Sequence, residues 1–221
     1  NLPSLIRKTI EDTAPAVDEA AKLLYLAPSM HLLATRLLAV AREGALKVRE
    51  VVLNHTEGFE ASEFKHGPNT ILGVNTVFGP QEVQALLRSL GEALKNSDDV
   101  VAACQSLFTT GDSSLDRTAL FDTMRSDYPL VYITGPDDRD VSLTVSQMNT
   151  HKIRGASTVV VAERDERLVR AASKPPADNA DYKSVYIELP PTGDTLMTTF
   201  SATVALPRLA LHMSLMKMNY L

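Results

Sequence analysis

The chain has 221 residues, of which 44% are hydrophobic and 22% are charged, a composition typical of a globular protein with a sizeable core. Its net charge of −5 and the lack of any basic run argue against a nucleic-acid partner, because phosphate binding requires clustered Lys and Arg side chains. The single cysteine, Cys104, excludes an internal disulfide and fits a reducing, cytoplasmic compartment, and no run of about 18 apolar residues predicts a membrane-spanning helix.

The first part of the chain is predicted to be mainly helical. Apolar residues at helical spacing over 3–25, interrupted by Pro15, predict two short helices that lead into the domain. A short buried strand is predicted around 30–34, before a long helix whose Ala, Leu and Arg residues favour that state. The next segment, "HTEGFEASEFKHGPNT", contains a possible helical turn and ends at the strong breaker Gly67-Pro68, after which "TILGVNTVFG" is predicted to be extended.

The second part alternates helices and strands. A helix is predicted over 80–95, followed by two helical pieces that flank the polar loop "TTGDSS". Buried strands are predicted at "LVYITG", "STVVVAE" and "SVYIEL", with helices between them and a long apolar helix containing Pro207 at the end. Such alternation implies right-handed crossovers and a parallel sheet with helices on both faces, in which ligands bind beyond the carboxyl ends of the strands.

Three ionisable residues on the long predicted helix share one face. Glu43, Lys47 and Glu50 are four and three residues apart, so they form a narrow charged stripe on a helix that is otherwise mostly apolar. One interpretation is a set of solvated intrahelical ion pairs, each worth only a few tenths of a kcal/mol. The other is a stripe that faces a cleft, or an ion network within the core.

Two histidines follow this helix. His66 directly precedes Gly67-Pro68, so it is expected to project from a loop, which is a favoured position for functional side chains. A surface or structural role for His66 is the alternative. His55 is placed at the end of the long helix, where its imidazole is expected to cap or pack.

Three pieces of the sequence, "EGALKVRE", "NHTEG" and "EFKHGP", together resemble a known signature. Their order and spacing resemble the sugar isomerase (SIS) domain, and in particular the isomerase part of the glutamine:fructose-6-phosphate aminotransferase family, also called glucosamine-6-phosphate synthases. That family has Glu-Gly-Ala-Leu-Lys-x-Lys-Glu on a helix, then His-x-Glu, then Glu-Leu-Lys-His-Gly-Pro. Here the first piece spans 43–50, with Arg49 where a lysine is usual, the second supplies His55 and Glu57, and the third spans 63–68.

The resemblance implies a role for each residue that matches the signature. Glu50 takes the position of the carboxylate that moves a proton between C1 and C2 of the sugar, and Lys47 matches the lysine near it. His66 matches a histidine associated with opening the sugar ring, which in this family reaches a neighbouring subunit's site, and Glu43 is assigned to substrate binding. A carboxylate base, an ammonium group and a histidine suit a proton shuttle beside a carbonyl-like carbon.

The resemblance also implies a fold and a domain organisation. The expected fold is α/β, a three-layer sandwich with a parallel, flavodoxin-like sheet flanked by helices. Residues 1–28 are expected to form a leading helical segment, and 29–221 an SIS domain with a helical insertion at roughly 70–127, where the family has a much shorter connection. The family's Gly-Arg-Gly turn before the long helix corresponds here to "HLLATRLLA", which contains no glycine.

The function implied is that of the second SIS subdomain of such a synthase, and the chain is expected to be a piece of a longer polypeptide. Its expected partners are a sugar phosphate substrate, the glutaminase domain and first SIS subdomain of the full-length chain, and a second copy in a homodimer. No metal or organic cofactor is implied. The alternatives are a non-catalytic SIS domain that binds sugar phosphate as a sensor or assembly module, and a charged stripe that is only an ion network.

Overall fold

A parallel sheet of five strands forms the centre of the part of the chain that the structure describes. The structure is a computed structural model that describes residues 1–72, 79–95, 99, 101–102, 128–177, 179 and 181–221. The strands are β1 (Ser29–Ala34), β2 (His55–Glu60), β3 (Leu130–Ile133), β4 (Thr158–Glu163) and β5 (Ser184–Leu189). Their order in the sheet is β2-β1-β3-β4-β5, and all four pairings are parallel. This is the flavodoxin-like order, and it confirms the predicted fold class.

The described residues form the helices α1 (Leu2–Asp12), α2 (Ala14–Leu24), α3 (Leu38–Val51), α4 (Pro80–Lys95), α5 (Asp138–Lys152), α6 (Glu166–Ser173) and α7 (Thr195–Tyr220), with two short 3₁₀ helices at Glu63–His66 and Pro68–Ile71. Helices α2, α3 and α7 share one core with the sheet, while α5, α6 and Phe64 share the core on the other face. None of the helices within these described ranges is long and apolar enough to cross a membrane.

The chain divides into two compact units. One comprises Asn1–Gly73 with Asp127–Leu221 and contains the sheet, and the other comprises Val74–Ser126. In the second unit the predicted helix over 80–95 is confirmed as α4. The loop "TTGDSS", Cys104 and most of the extended prediction over 70–79 lie outside the described residues. The predicted domain bounds, including the insertion at roughly 70–127, stay a prediction.

Strand β2 was not predicted from the sequence. Strand β2 begins at His55, which was expected to end the long helix, whereas α3 ends at Val51. Because β2 lies at the edge of the sheet, His55 and Glu57 are exposed and only Thr56 is fully buried, so the segment lacks the apolar run that identifies an inner strand. The helical turn expected before Gly67-Pro68 is present as the 3₁₀ helix Glu63–His66.

Two glycines let α3 pack closely against its neighbours. A Cβ on Gly44 would lie 2.7 Å from Leu206 Cδ1 of α7, at a side chain that can move. A Cβ on Gly58 of β2 would lie 2.5 Å from the Arg42 backbone of α3, which cannot move without displacing the helix. The position of α3 over β2 therefore depends on Gly58.

Replacing Gly58 with Ala is expected to lower the free energy of unfolding by about 1–3 kcal/mol, the usual effect of overpacking. The measurement is urea denaturation followed by circular dichroism. Gly67→Ala is the matched control, because a Cβ there meets nothing within 4 Å and its φ of 179° suits any residue. Equal stability of the two variants would contradict the close contact between Gly58 and α3.

Candidate functional site

The charged stripe lies on the solvent side of α3. Lys47 Nζ donates a hydrogen bond to Glu50 Oε2 at 2.9 Å and lies 3.4 Å from Glu43 Oε1. The side chains of Glu43, Lys47 and Glu50 are 44%, 33% and 48% exposed. The hydrogen bond to Glu50 and the charge of Glu43 raise the pKa of Lys47 despite partial burial, so the ammonium group remains charged at neutral pH. The structure thus brings these three predicted residues together on an accessible surface.

An open groove of 620 Å³ lies beside this stripe and shares Glu43 with it. We call it the α3 groove, and it is lined by Leu38, Ala39, Arg42, Glu43, Leu46 and Arg49. Three of these lining residues are apolar, and two carry guanidinium groups. Arg49 Nη1 donates to the Thr56 carbonyl at 2.8 Å, whereas Arg42 has no side-chain partner in the part of the chain that the structure describes. Among the described residues, the groove therefore has one guanidinium held by a hydrogen bond and one without a partner.

His66 and the charged stripe belong to elements on opposite faces of the sheet. Helix α3 packs in the core that it shares with α2 and α7. His66 ends the 3₁₀ helix Glu63–His66, whose Phe64 packs in the core on the other face, with ring centroids 4.9 Å from His31 and 5.2 Å from His151. Within one chain, the sheet therefore separates the element that carries His66 from the helix that carries Glu50.

The carboxyl edge of the sheet, where ligands bind in many open α/β proteins, is occupied by ion pairs. Arg36, directly after β1, places Nε 3.0 Å from Oδ2 of the buried Asp140 and Nη1 3.5 Å from Asp137, at the switch point between β1 and β3. Leu37 has a φ of −94°, so the turn needs no glycine. Arg36 therefore links the start of α3 to the start of α5, at the position that corresponds to the glycine turn of the family that the sequence resembles.

Other groups make the same edge unfavourable for a phosphate. Six carboxylates surround three guanidinium groups there, and the pairs are Arg36 with Asp137 and Asp140, Arg167 with Asp138 and Asp165, and Arg164 with Glu166 and Glu188. Although burial alone would raise the pKa of Glu163, hydrogen bonds from Thr192, Gly193 and Thr198 hold it below its usual range. This excess of negative charge would repel a phosphate group.

A partly buried polar chain that joins β1, β2 and Tyr128 was not predicted from the sequence. Ser29 Oγ is hydrogen-bonded to Tyr128 Oη and to His55 Nδ1, both at 2.9 Å, and Tyr128 Oη is hydrogen-bonded to His31 Nδ1 at 2.7 Å. Glu57 lies 3.8 Å from each imidazole. The alternation of Ser29 and His31 along β1 was the available signal. No group of three or more His, Cys, Asp or Glu side chains arranged to bind a metal occurs in the described ranges.

Comparison with known proteins finds sequence relatives named glutamine–fructose-6-phosphate aminotransferase (isomerizing). Glutamine–fructose-6-phosphate aminotransferase (isomerizing) from Pyrobaculum aerophilum is 48% identical over 68 residues, or 30% of this chain and 11% of that protein. The protein of the same name from Aquifex aeolicus is 32% identical over 114 residues, or 50% of this chain and 18% of that protein. The chain thus spans less than a fifth of the length of these relatives. No family model matches the chain.

Solved structures match over nearly the whole chain. The C-terminal domain of glucosamine-fructose-6-phosphate aminotransferase from Francisella tularensis matches with a TM-score of 0.61 and 15% identity, covering 98% of this chain and 43% of that one. A tagatose-6-phosphate ketose/aldose isomerase from Escherichia coli matches with a TM-score of 0.50 and 15% identity, covering 95% of this chain and 44% of that one. The chain therefore has the fold of a sugar isomerase domain.

Proposed function

We propose that this chain, a sugar isomerase domain similar in sequence to the aminotransferases, is the second SIS subdomain of a glucosamine-6-phosphate synthase. The substrate of that enzyme would be fructose 6-phosphate, its product glucosamine 6-phosphate, and its compartment the cytoplasm. The observation that carries the proposal is the charged stripe, because a carboxylate and an ammonium 2.9 Å apart lie accessible on α3 in a chain with this fold. The chemistry requires no metal or organic cofactor.

Glu50 would be the base in this reaction. Conversion of a ketose imine into an aldose amine removes a proton beside a carbonyl-like carbon and returns it to the adjacent carbon, and one carboxylate can perform both steps. Lys47 would stabilise the enolate-like charge that develops between them. Glu43, which lies between the stripe and the α3 groove, would hold a sugar hydroxyl.

The site requires a second surface. Glu50 is 48% exposed, so the residues described here do not provide the water-excluded environment in which a base works best. The 3₁₀ helix that carries His66 packs on the face of the sheet opposite α3, so His66 would serve Glu50 from another copy. We therefore propose that the first SIS subdomain and a second copy in a homodimer complete the site, and that a glutaminase domain supplies ammonia.

The test is proton exchange in the complete protein. Incubation with fructose 6-phosphate in deuterated water, without glutamine, is expected to introduce deuterium at C1, detected by proton NMR. Heat-denatured protein is the control for spontaneous exchange. Exchange no faster than in this control, while the sugar phosphate binds, would contradict the proposed enzymatic function.

A non-catalytic SIS domain that senses sugar phosphate is the second candidate. The observation that favours it is the carboxyl edge, where this chain lacks the family's glycine turn and Arg36 pairs with Asp137 and the buried Asp140. Such a domain would bind fructose 6-phosphate in calorimetry and catalyse no exchange at C1. The exchange experiment therefore separates the two candidates.

A further inference from the structure

The α3 groove carries more positive than negative charge. Among the described residues that line it, Arg42 and Arg49 are basic and Glu43 is acidic. Lys47 Nζ lies 3.4 Å from Glu43 Oε1, so the charge of Glu43 is already offset from the stripe. Because the unbalanced charges are the two guanidinium groups, the groove favours an anionic ligand.

The two arginines lie on one face of α3, on either side of Leu46. Arg42 is four residues before Leu46 and Arg49 is three after it, and residues at these spacings are neighbours on a helix surface. The Cα atoms of the two arginines are about 10 Å apart along the helix axis. Leu46 is 37% exposed, so a ligand can approach the helix between them. Both long side chains can reach an anion placed above Leu46.

Both guanidinium groups have hydrogen-bond donors available for such an anion. A guanidinium has five N–H donors, and the contact of Arg49 Nη1 with the Thr56 carbonyl at 2.8 Å uses one of them. This contact also orients Arg49 before a ligand binds. Arg42 has no side-chain partner among the described residues. Because guanidinium groups bind phosphate oxygens through paired N–H donors, a phosphate monoester matches the two arginines in charge and in geometry.

We propose that the α3 groove binds the phosphate group of the sugar phosphate, between Arg42 and Arg49 and above Leu46. The identity of this ligand rests on the proposed function. Glu50 is four residues beyond Leu46, about 6 Å along the helix axis. In fructose 6-phosphate six bonds separate C2 from phosphorus, so C1 and C2 can reach Glu50 while the phosphate stays at the arginines. Glu43 would then lie beside the hydroxyl groups between them.

The carboxyl edge of the sheet is the competing location for the phosphate, because ligands bind there in many open α/β proteins. Arg36 at that edge already faces Asp137 and the buried Asp140. A phosphate would have to displace these carboxylates from Arg36, and it would be repelled by them. At the α3 groove, Arg42 can bind a phosphate without breaking an ion pair among the described residues.

The experiment is calorimetric titration of the complete protein with inorganic phosphate and with fructose 6-phosphate, at low salt so that exposed charges are little screened. Both ligands are expected to bind, and fructose 6-phosphate should displace inorganic phosphate. Arg42→Met is expected to weaken the binding of each by about 10–100-fold, the usual effect of losing hydrogen bonds to a charged group. Arg42→Lys should recover part of the affinity, because lysine keeps the charge but lacks the paired donors.

Arg139→Met is the matched control, because it removes the same charge from an exposed site on α5 and is expected to leave both affinities unchanged. Circular dichroism verifies the folding of each variant. Four results would each overturn the proposal: no phosphate binding by the wild type, wild-type affinity in Arg42→Met, an equal loss in Arg139→Met, or no displacement of inorganic phosphate by fructose 6-phosphate.

The titration measures binding without turnover, so it separates this proposal from the proposed function. Deuterium exchange at C1, together with wild-type affinity in Arg42→Met, would reject the phosphate site and leave the enzymatic function standing. Binding that depends on Arg42, without exchange at C1, would support the phosphate site and reject the enzymatic function.

Discussion

Glu50→Gln in the complete protein is expected to reduce glucosamine 6-phosphate formation by roughly 10²–10⁴-fold, the usual contribution of a general base. Hydrolysis of glutamine should continue at its normal rate, because that reaction belongs to a different domain of the proposed enzyme. The amide keeps the size of Glu50 and can still accept a hydrogen bond from Lys47, but it cannot take up a proton at neutral pH. The measurement is product formation alongside glutamate release.

The matched control is Glu19→Gln on α2. Glu19 accepts a hydrogen bond from Lys22 at 2.7 Å and is three residues from it, as Lys47 and Glu50 are from each other. Both substitutions therefore remove an exposed intrahelical ion pair, worth a few tenths of a kcal/mol. Product formation should be unchanged in Glu19→Gln. If Glu50→Gln synthesised glucosamine 6-phosphate as fast as this control, Glu50 would not be the proton carrier.

The inner strands were predictable because their sequences carry a strong signal. Strands β3 and β4 have apolar runs that are buried on both faces, and glycine or charged residues end them. Strand β2 carries no such run, since half of it faces water at the sheet edge. Its assignment requires knowledge of the pairing with β1, which is a tertiary contact. Local propensity cannot supply that information.

The candidate site was predictable only where its residues share one element. The charged stripe follows from helical spacing alone, and the structure places Glu43, Lys47 and Glu50 together. The separation of His66 from the stripe depends instead on which face of the sheet each element packs against. Arg36 and Asp140 are distant in sequence, so no local pattern predicts their ion pair. The sequence is informative within an element and much less so between elements.

Two buried histidines make stability depend on pH. Burial lowers the pKa of His31 to about 4, with Glu57 opposing and His55 reinforcing this change. Burial also lowers the pKa of His151 to about 4, reinforced by the charges of Lys65 and Arg154. His151 Nδ1 is hydrogen-bonded to Tyr132 Oη at 2.8 Å, and its Nε2 is buried without a partner in the described structure. Both imidazoles are therefore neutral in the folded protein at pH 7.

The free energy of unfolding is expected to fall as the pH is lowered from about 6.5 to about 4, because the unfolded chain binds protons at these histidines in that range and the folded chain does not. Each histidine should contribute a loss of about 1–2 kcal/mol between pH 7 and pH 5. Urea denaturation over this range measures how steeply the free energy of unfolding changes with pH, which gives the number of protons taken up on unfolding. His31→Gln and His151→Gln should each reduce that number by about one. The ring centroid of Phe64 lies 4.9 Å from that of His31 and 5.2 Å from that of His151. Phe64→Leu should therefore lower the free energy of unfolding without changing its dependence on pH. An unchanged slope in the double histidine variant would show that other groups govern the acid sensitivity.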